Sequence, residues 1–238
     1  MAKTLHAASV RLIVAATALV WIGSASAQTA HPPDTMQARL LACAACHGEQ
    51  GQGTSNDYFP RLASKPAQYL YNQLLAFRQG RRRYPPMNYL LEYQTDDYLH
   101  DMAGYFAALR LPPQPASVPP ASPAMLDRGE WLVRNGAADR GVPPCSACHG
   151  ANLTGMEPAI PGLIGLKANY ISAQLGAWRY GTRTAADPDC MQIVAGHLTE
   201  ADVTAVAAYL SSLPVPPNAA PLPANAMHLP LRCGSEPQ

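Results

Sequence analysis

The stretch Cys43-Ala44-Ala45-Cys46-His47 occurs a second time as Cys145-Ser146-Ala147-Cys148-His149. Two cysteines separated by two residues and followed directly by a histidine form the attachment signature of c-type haem. Each thiol bonds to one vinyl group of the porphyrin, and the histidine that follows becomes the proximal ligand of the iron. The sequence therefore predicts two covalently bound haem c groups, with His47 and His149 as iron ligands.

A thioredoxin-like redox pair or half of a zinc site would also use a Cys-x-x-Cys spacing. Neither alternative explains why histidine follows both pairs, and no further Cys-x-x-Cys pair is present to complete a zinc site. The whole chain has 238 residues, a formal charge of +1 and 48% apolar residues. This composition excludes a disordered chain and a typical nucleic-acid-binding protein.

The N-terminus has the pattern of a secretion signal. Lys3 and Arg11 supply positive charge, residues 12–22 form an apolar run, and Ala25-Ser26-Ala27 is a small-x-small cleavage site. The run is too short for a permanent transmembrane helix, although an uncleaved N-terminal anchor is the alternative. We expect residues 1–27 to be removed and the mature protein to be periplasmic, with no transmembrane anchor.

The two motifs belong to a longer internal repeat. Cys145 follows Cys43 by 102 residues. Further matching pairs lie 101 residues apart: Pro60 and Pro161, Tyr69 and Tyr170, Gln73 and Gln174, Arg78 and Arg179, Gly80 and Gly181. We interpret the repeat as two copies of one small domain.

Both copies predict helices, and neither shows a strand pattern. Apolar residues recur with helical spacing over residues 67–79, over the equivalent stretch of the second copy, and in the last helices, which begin at Thr95 and Thr199. An opening helix is predicted over Met125 to Asn135, and a weaker one over residues 35–42. Proline-rich sequence separates the copies. The predicted boundaries are 28–111 for the first domain, 112–122 for the linker, 123–214 for the second domain and 215–238 for the tail.

Methionine is the candidate sixth iron ligand, because a thioether completes the coordination of an electron-carrying haem. Met87 lies eight residues before Thr95, and Met191 lies eight residues before Thr199. This equivalent placement favours Met87 as the partner of His47 and Met191 as the partner of His149. Met102 and Met156 are the competing residues, and the prolines before Met87 predict an extended loop there.

Cys190 and Cys233 remain after the haem cysteines are assigned. An even remainder in an exported protein predicts a disulfide, which would fix the tail to the segment that carries Met191. Two separate free thiols are the alternative.

Arginines cluster at the end of the predicted helix over residues 67–79, as Arg78 and residues 81–83. They could be a solvated helix end that complements the helix dipole. Alternatively, one or two of them pair with haem propionates or with an electron-transfer partner. Because Arg179 repeats Arg78, we assign these two arginines to the haem-binding set.

Together these features resemble the dihaem cytochrome c4 family over about residues 34–214. The resemblance rests on the two Cys-x-x-Cys-His-Gly sites, the positions of Met87 and Met191, and the final helices. It implies an all-α fold of two tandem class I cytochrome c domains joined by the proline-rich linker, with facing haems and rapid electron transfer between them. The short first helix, the linker and the tail with Cys233 depart from the family pattern.

The expected function is therefore electron transfer rather than catalysis, since two six-coordinate irons leave no site for substrate. The resemblance implies a periplasmic, respiratory-chain relay between a donor, such as a quinol-oxidising complex or a dehydrogenase, and an acceptor, such as a haem–copper terminal oxidase. The alternative is the dihaem subunit of a periplasmic dehydrogenase complex, of the flavocytochrome c sulfide dehydrogenase type. A dihaem peroxidase would need an iron with an open position.

Overall fold

A computed structural model describes residues 34–111, called the first half here, and residues 120–236, called the second half. The predicted signal segment and most of the predicted linker, residues 112–119, lie outside the described residues. Within the described ranges, no helix is both long and apolar enough to cross a membrane.

The first half is built from helices. They are α1 (Met36–Arg39), α2 (Leu41–His47), α3 (Ala67–Arg78), α4 (Pro85–Leu91) and α5 (Asp96–Ala108). The predicted opening helix is present, but it breaks at Leu40, which caps α1 and precedes α2. The haem motif lies on α2, so its two cysteines and its histidine share less than two helical turns.

The second half repeats this order with additions. Its helices are α6 (Pro123–Asn135), a 3₁₀ turn (Ala138–Arg140), α7 (Ser146–His149), α8 (Ala168–Arg179), α9 (Cys190–Gly196) and α10 (Glu200–Ser212). Two short antiparallel strands, β1 (Gly155–Met156) and β2 (Ile160–Pro161), lie between α7 and α8. The repeat did not predict these strands, because two residues are too few to show an alternating pattern.

Each half has its own cluster of buried apolar side chains, built mainly from the faces of its long helices. In the first half the cluster includes Leu70, Phe77, Leu99, Met102 and Phe106. In the second half it includes Leu132, Val133, Ile171, Leu175, Val203, Val206 and Leu210. These residues include the helical faces predicted from the sequence.

A glycine sets the closest helix crossing of the second half. A Cβ atom added to Gly129 on α6 would lie 2.6 Å from the Cβ of Tyr209 and would overlap the carbonyl oxygen of Ala205, both on α10. Only glycine therefore permits the two helices to approach this closely.

Both final helices begin as predicted. The Thr95 side chain accepts from the backbone of Tyr98, and the Thr199 side chain accepts from the backbone of Asp202. In the second half Asp202 also accepts from the Thr199 backbone, which completes a capping box.

The C-terminal tail crosses the second half and ends against the first. Leu222 exchanges backbone hydrogen bonds of 2.9 Å with Gly155 and Glu157, next to β1. Cys233 forms a disulfide with Cys190. Beyond it, the backbone oxygen of Ser235 accepts a 3.0 Å hydrogen bond from Asn72 on α3.

Candidate functional site

The two predicted iron-binding histidines have the same surroundings. The Nδ1 atom of His47 lies 2.8 Å from the carbonyl oxygen of Pro60, and that of His149 lies 2.8 Å from the carbonyl oxygen of Pro161. Both rings are buried, and burial lowers the pKa of both imidazoles. Neutral rings that donate from Nδ1 keep Nε2 unprotonated, which is the tautomer that can bind a metal.

Met87 lies on α4 and not on an extended loop, so the predicted loop is wrong. Pro85 and Pro86 occupy the first positions of this helix, where proline loses no hydrogen bond and its fixed φ angle fits the helix. The restriction imposed by proline falls instead on Tyr84, which is extended with φ −155° and ψ 102°.

Asn88 fixes α4 beside α3. Its side-chain nitrogen donates to the carbonyl oxygens of Phe77, at 2.6 Å, and Arg82, at 2.8 Å, while its oxygen accepts from the backbone of Tyr84. Met87, the neighbour of Asn88, packs with Cys43 against the apolar cluster of the first half. The predicted ligand and the predicted haem attachment site therefore meet at one core.

Met191 lies on α9, the counterpart of α4. Asp189, which is 6% exposed, caps this helix by accepting from the backbone of Gln192 and also accepts from the backbone of Ala185. Met191 and Cys145 both pack against the apolar cluster of the second half. The Cys190–Cys233 disulfide is adjacent to Met191, at the place where the sequence predicts it.

Met102 and Met156, the alternative candidates for the sixth iron ligand, are buried as packing residues. Met102 is 4% exposed within the core of α5, and Met156 is 4% exposed on β1, where it pairs with Leu222 of the tail. Both serve as packing residues in this structure.

A cavity of 490 Å³ opens between the predicted haem ligands of the second half. Its lining includes Cys145, Cys148, His149 and Met191, together with Trp178. This volume lies within the range typical of cofactor and ligand pockets.

Trp178, one of the lining residues, carries an unmatched polar group. Its Nε1 atom is buried and has no hydrogen-bond partner among the described residues. A buried donor without a partner is costly, so an acceptor on a bound group would stabilise this side chain. A haem with its propionates fits both the apolar lining and this donor.

The four attachment cysteines are half-buried. Burial raises the pKa of Cys43 and Cys148, and it raises the pKa of Cys145 to about 11.

The arginines predicted to serve the haems are engaged elsewhere. Arg78 pairs with Asp96 and donates at 2.6 Å to the carbonyl oxygen of Gln94. The Arg179 guanidinium lies 5.7 Å from the ring centre of Tyr180. The structure therefore gives Arg78 and Arg179 no contact that points to a haem, and their assignment stays a prediction.

Two other arginines meet where the halves join. Arg82 and Arg183 form an antiparallel backbone bridge, and both are buried, with 9% and 4% exposure. Each of the two side chains donates hydrogen bonds to residues of both halves. Arg82 donates to Gln73 of its own half and to Gln174 and Tyr170 of the other, while Arg183 donates to Gln174 of its own half and to Gln73 and Tyr69 of the other. We call these six residues the arginine junction.

The arginine junction carries positive charge without an acidic counterpart. Among the described residues, no carboxylate forms an ion pair with Arg82 or Arg183. Burial and the nearby Arg82 together lower the pKa of Arg183 to about 10. Although burial alone would raise the pKa of Tyr69, the two guanidiniums lower it to about 8. The junction therefore favours an anion.

Arg82 belongs to the arginine cluster in which the sequence offers partners for haem propionates, but the prediction settled on Arg78 and Arg179. Arg82 and Arg183 stand 101 residues apart, as do the junction glutamines and tyrosines, so the repeat carried the signal. Pro60 and Pro161 were matched in the same way, but a backbone oxygen leaves no mark in side-chain patterns. Asn88 and Asp189 act at different places in the two halves, and the repeat could not show them.

Comparisons with known proteins identify the family of this chain. The cytochrome c family model matches residues 36–105 and 142–214, which places one match on each half. The solved structure of reduced cytochrome c4 from Pseudomonas stutzeri is 34% identical, with a TM-score of 0.63, over 74% of this chain and 96% of that chain.

Two curated relatives extend over most of the chain. A thiosulfate dehydrogenase electron acceptor from Thiomonas intermedia is 35% identical over 87% of this chain and 93% of its own length. Cytochrome c4 from Pseudomonas aeruginosa is 36% identical over 74% of this chain and 86% of its own length. The chain therefore belongs to the cytochrome c family, in its dihaem cytochrome c4 group, and is an electron-transfer protein with two covalently bound haem c groups.

Proposed function

We propose that this protein relays single electrons through two haems whose irons are bound by His47 with Met87 and by His149 with Met191. When bound, the haems supply the one-electron iron couple. The carbonyls of Pro60 and Pro161 hold the imidazoles in the metal-binding tautomer. With both axial positions filled by side chains, the protein offers no iron site to a substrate.

The arginine junction is the observation that best supports electron transfer between the two halves. Within residues 34–111 and 120–236, its two buried guanidiniums have no acidic partner, and Arg183, Gln174 and Tyr170 line the cavity that also contains His149 and Met191. We infer that haem propionates supply the missing negative charge, with Arg82 and Arg183 as their partners. Arg82 and Arg183, which contact residues of both halves, would then hold the propionates of the haems near the contact between the halves.

Redox titration of charge variants tests this inference. Arg82→Gln and Arg183→Gln each remove a positive charge that disfavours the oxidised iron, so we expect lower reduction potentials. The expected change is on the order of 1 kcal/mol for each charge removed. Arg78→Gln is the matched control and should change the potentials less. A larger effect from Arg78→Gln would show that Arg78, rather than the junction, serves the propionates.

For its place in the cell, we propose the periplasm, after removal of residues 1–27. The donor in this proposal is a quinol-oxidising complex or a dehydrogenase, and the acceptor is a haem–copper terminal oxidase. The similarity to cytochrome c4 supports this assignment. Mass spectrometry of the exported protein should give a chain that starts near Gln28 and carries the mass of two haems.

A second candidate is an electron-accepting partner of a periplasmic dehydrogenase. The similarity to a thiosulfate dehydrogenase electron acceptor over 93% of that protein favours a sulfur-compound dehydrogenase as the donor. Stopped-flow reduction distinguishes the candidates. Rapid reduction by thiosulfate dehydrogenase with thiosulfate would favour the second, whereas rapid reduction only by a quinol-oxidising complex would favour the first.

A further inference from the structure

The two halves differ at the surface beside their predicted methionine ligands. In the first half, Tyr89, Leu90 and Tyr93 follow Met87 within six residues and are 77%, 44% and 84% exposed. We call these three residues the tyrosine patch. In the second half the equivalent positions are Ile193, Val194 and His197, of which Ile193 is 44% exposed. The repeat thus keeps the ligand but not the exposed aromatic surface.

Acidic side chains surround the tyrosine patch in sequence. Residues 84–101 contain no lysine or arginine, and their four acidic residues are all exposed: Glu92, Asp96, Asp97 and Asp101. Arg78 pairs with Asp96 and Arg39 attracts Asp101, which leaves Glu92 and Asp97 without a cationic partner in the part of the chain that the structure describes. Tyr93 is hydrogen-bonded to Glu92, so the exposed rings and this carboxylate share one apolar surface with an acidic rim.

The equivalent stretch of the second half, residues 188–205, has lost this character. Asp189 is buried as a helix cap, and Asp202 is 3% exposed and paired with Arg128 and Arg140. Only Glu200 remains exposed, and it accepts from Tyr180. The tail is also attached here, through Cys233 and Cys190.

We propose that the tyrosine patch docks the apolar, basic-rimmed face of a redox partner, so that electrons are exchanged through the first haem. This inference rests on the proposed function, since it needs an iron at Met87. Aromatic rings provide contact area at low entropic cost. The acidic rim attracts a cationic surface and speeds the encounter. The tail-covered second haem then exchanges electrons mainly through the first.

Tris(phenanthroline)cobalt(III) is a suitable probe, because it combines apolar ligands with positive charge. The reduced protein gives one electron to cobalt(III), which becomes cobalt(II). We expect oxidation to be fast at low ionic strength, to slow as salt is added, and to slow ~3- to 10-fold in a Tyr89→Ser/Tyr93→Ser variant or a Glu92→Gln/Asp97→Asn variant. Oxidation by the anionic hexacyanoferrate(III) should not slow in the second variant.

An Ile193→Ser/Glu200→Gln variant is the matched control in the second half and should react at the wild-type rate. Equilibrium dialysis of the oxidised protein against the same cobalt complex provides a second measurement, in which the first two variants should bind more weakly. Equal rates in all variants, or an equal loss in the control, would overturn the proposal.

Two further results separate this inference from others. If sedimentation shows a wild-type dimer and a monomeric tyrosine variant, the patch is a self-association surface and the proposal is wrong. Potentials and absorption spectra of the variants should match the wild type. If the wild-type spectrum does not show two methionine-bound haems, the proposed function is wrong. If that spectrum shows both haems but the variants are oxidised by the cobalt complex at the wild-type rate, only the docking site is wrong.

Discussion

At the scale of single residues, the proposed electron transfer depends most on the two methionines. Replacing Met87 with alanine should lower the potential of one haem and leave the other close to its wild-type value, because the thioether stabilises reduced iron. Met191→Ala should do the same for the other haem. Potentiometric titration measures both effects, with Met102→Leu as a control that should change neither potential. If neither ligand variant moves a potential, the ligand assignment is wrong.

Asp202 supports a prediction about pH. Burial acts to raise its pKa, but hydrogen bonds from Arg140, Arg128 and Thr199 outweigh burial and hold the pKa well below its usual range. A lowered carboxyl pKa stabilises the fold at neutral pH. This stabilisation begins to fall as pH drops below about 4 and is gone only below the lowered pKa of the folded state. Asp202→Asn should therefore cost about 2 kcal/mol at neutral pH and progressively less as the pH falls below about 4.

Thermal unfolding at pH 7 and near pH 3 provides the measurement for Asp202. The exposed Asp97 lies in the first turn of α5, the counterpart of α10 in the first half, and Asp97→Asn should change stability by less than about 0.5 kcal/mol. A difference between wild type and Asp202→Asn that is the same at both pH values would contradict the assigned charge state.

At the scale of elements, the α6–α10 crossing is the most exacting contact. Gly129→Ala should destabilise the second half by about 2–3 kcal/mol, since its Cβ would overlap backbone atoms of α10. Gly176→Ala on α8 is the matched control, because no atom lies within 4 Å of its added Cβ. There the helix should gain up to ~1 kcal/mol. Chemical unfolding compares them, and equal effects would show that the crossing tolerates a side chain.

The sequence predicted the long helices well because each shows a clear apolar face, with either a capping serine or threonine before it or a glycine soon after its end. It failed at α4 and α9, which are seven residues each and carry the predicted ligands. Short helices contain too few residues to show a helical period, and the Pro85-Pro86 pair was taken to favour an extended chain. The haem motifs were predicted with their ligands because the chemistry of attachment fixes the spacing of cysteine and histidine.

At the scale of the whole molecule, the repeat predicted two similar halves but not how they meet. The arginine junction depends on side chains that cross between copies, and a comparison of each copy with the other shows only that the residues match. The tail has no counterpart in the first half, so only its cysteine count suggested where it is fixed.

The disulfide should matter for the tail more than for the haems. Cys190 and Cys233 are separated by 43 residues, so removing the link with Cys190→Ser/Cys233→Ser should cost about 3–4 kcal/mol of unfolding free energy. Limited proteolysis should then cut the tail faster while the first-haem potential stays unchanged. Unchanged proteolysis would show that Leu222 and Ser235 hold the tail without the disulfide.

We propose that histidine and methionine bind both irons, and the absorption spectrum of the oxidised protein reports the methionine ligands. Ferric haem with a thioether ligand has a weak far-red band, whose intensity counts the methionine-bound haems. We predict that Met87→Ala and Met191→Ala each remove about half of the wild-type band and that the double variant removes all of it. A wild-type protein without the band, or a band that survives in the double variant, would contradict the account.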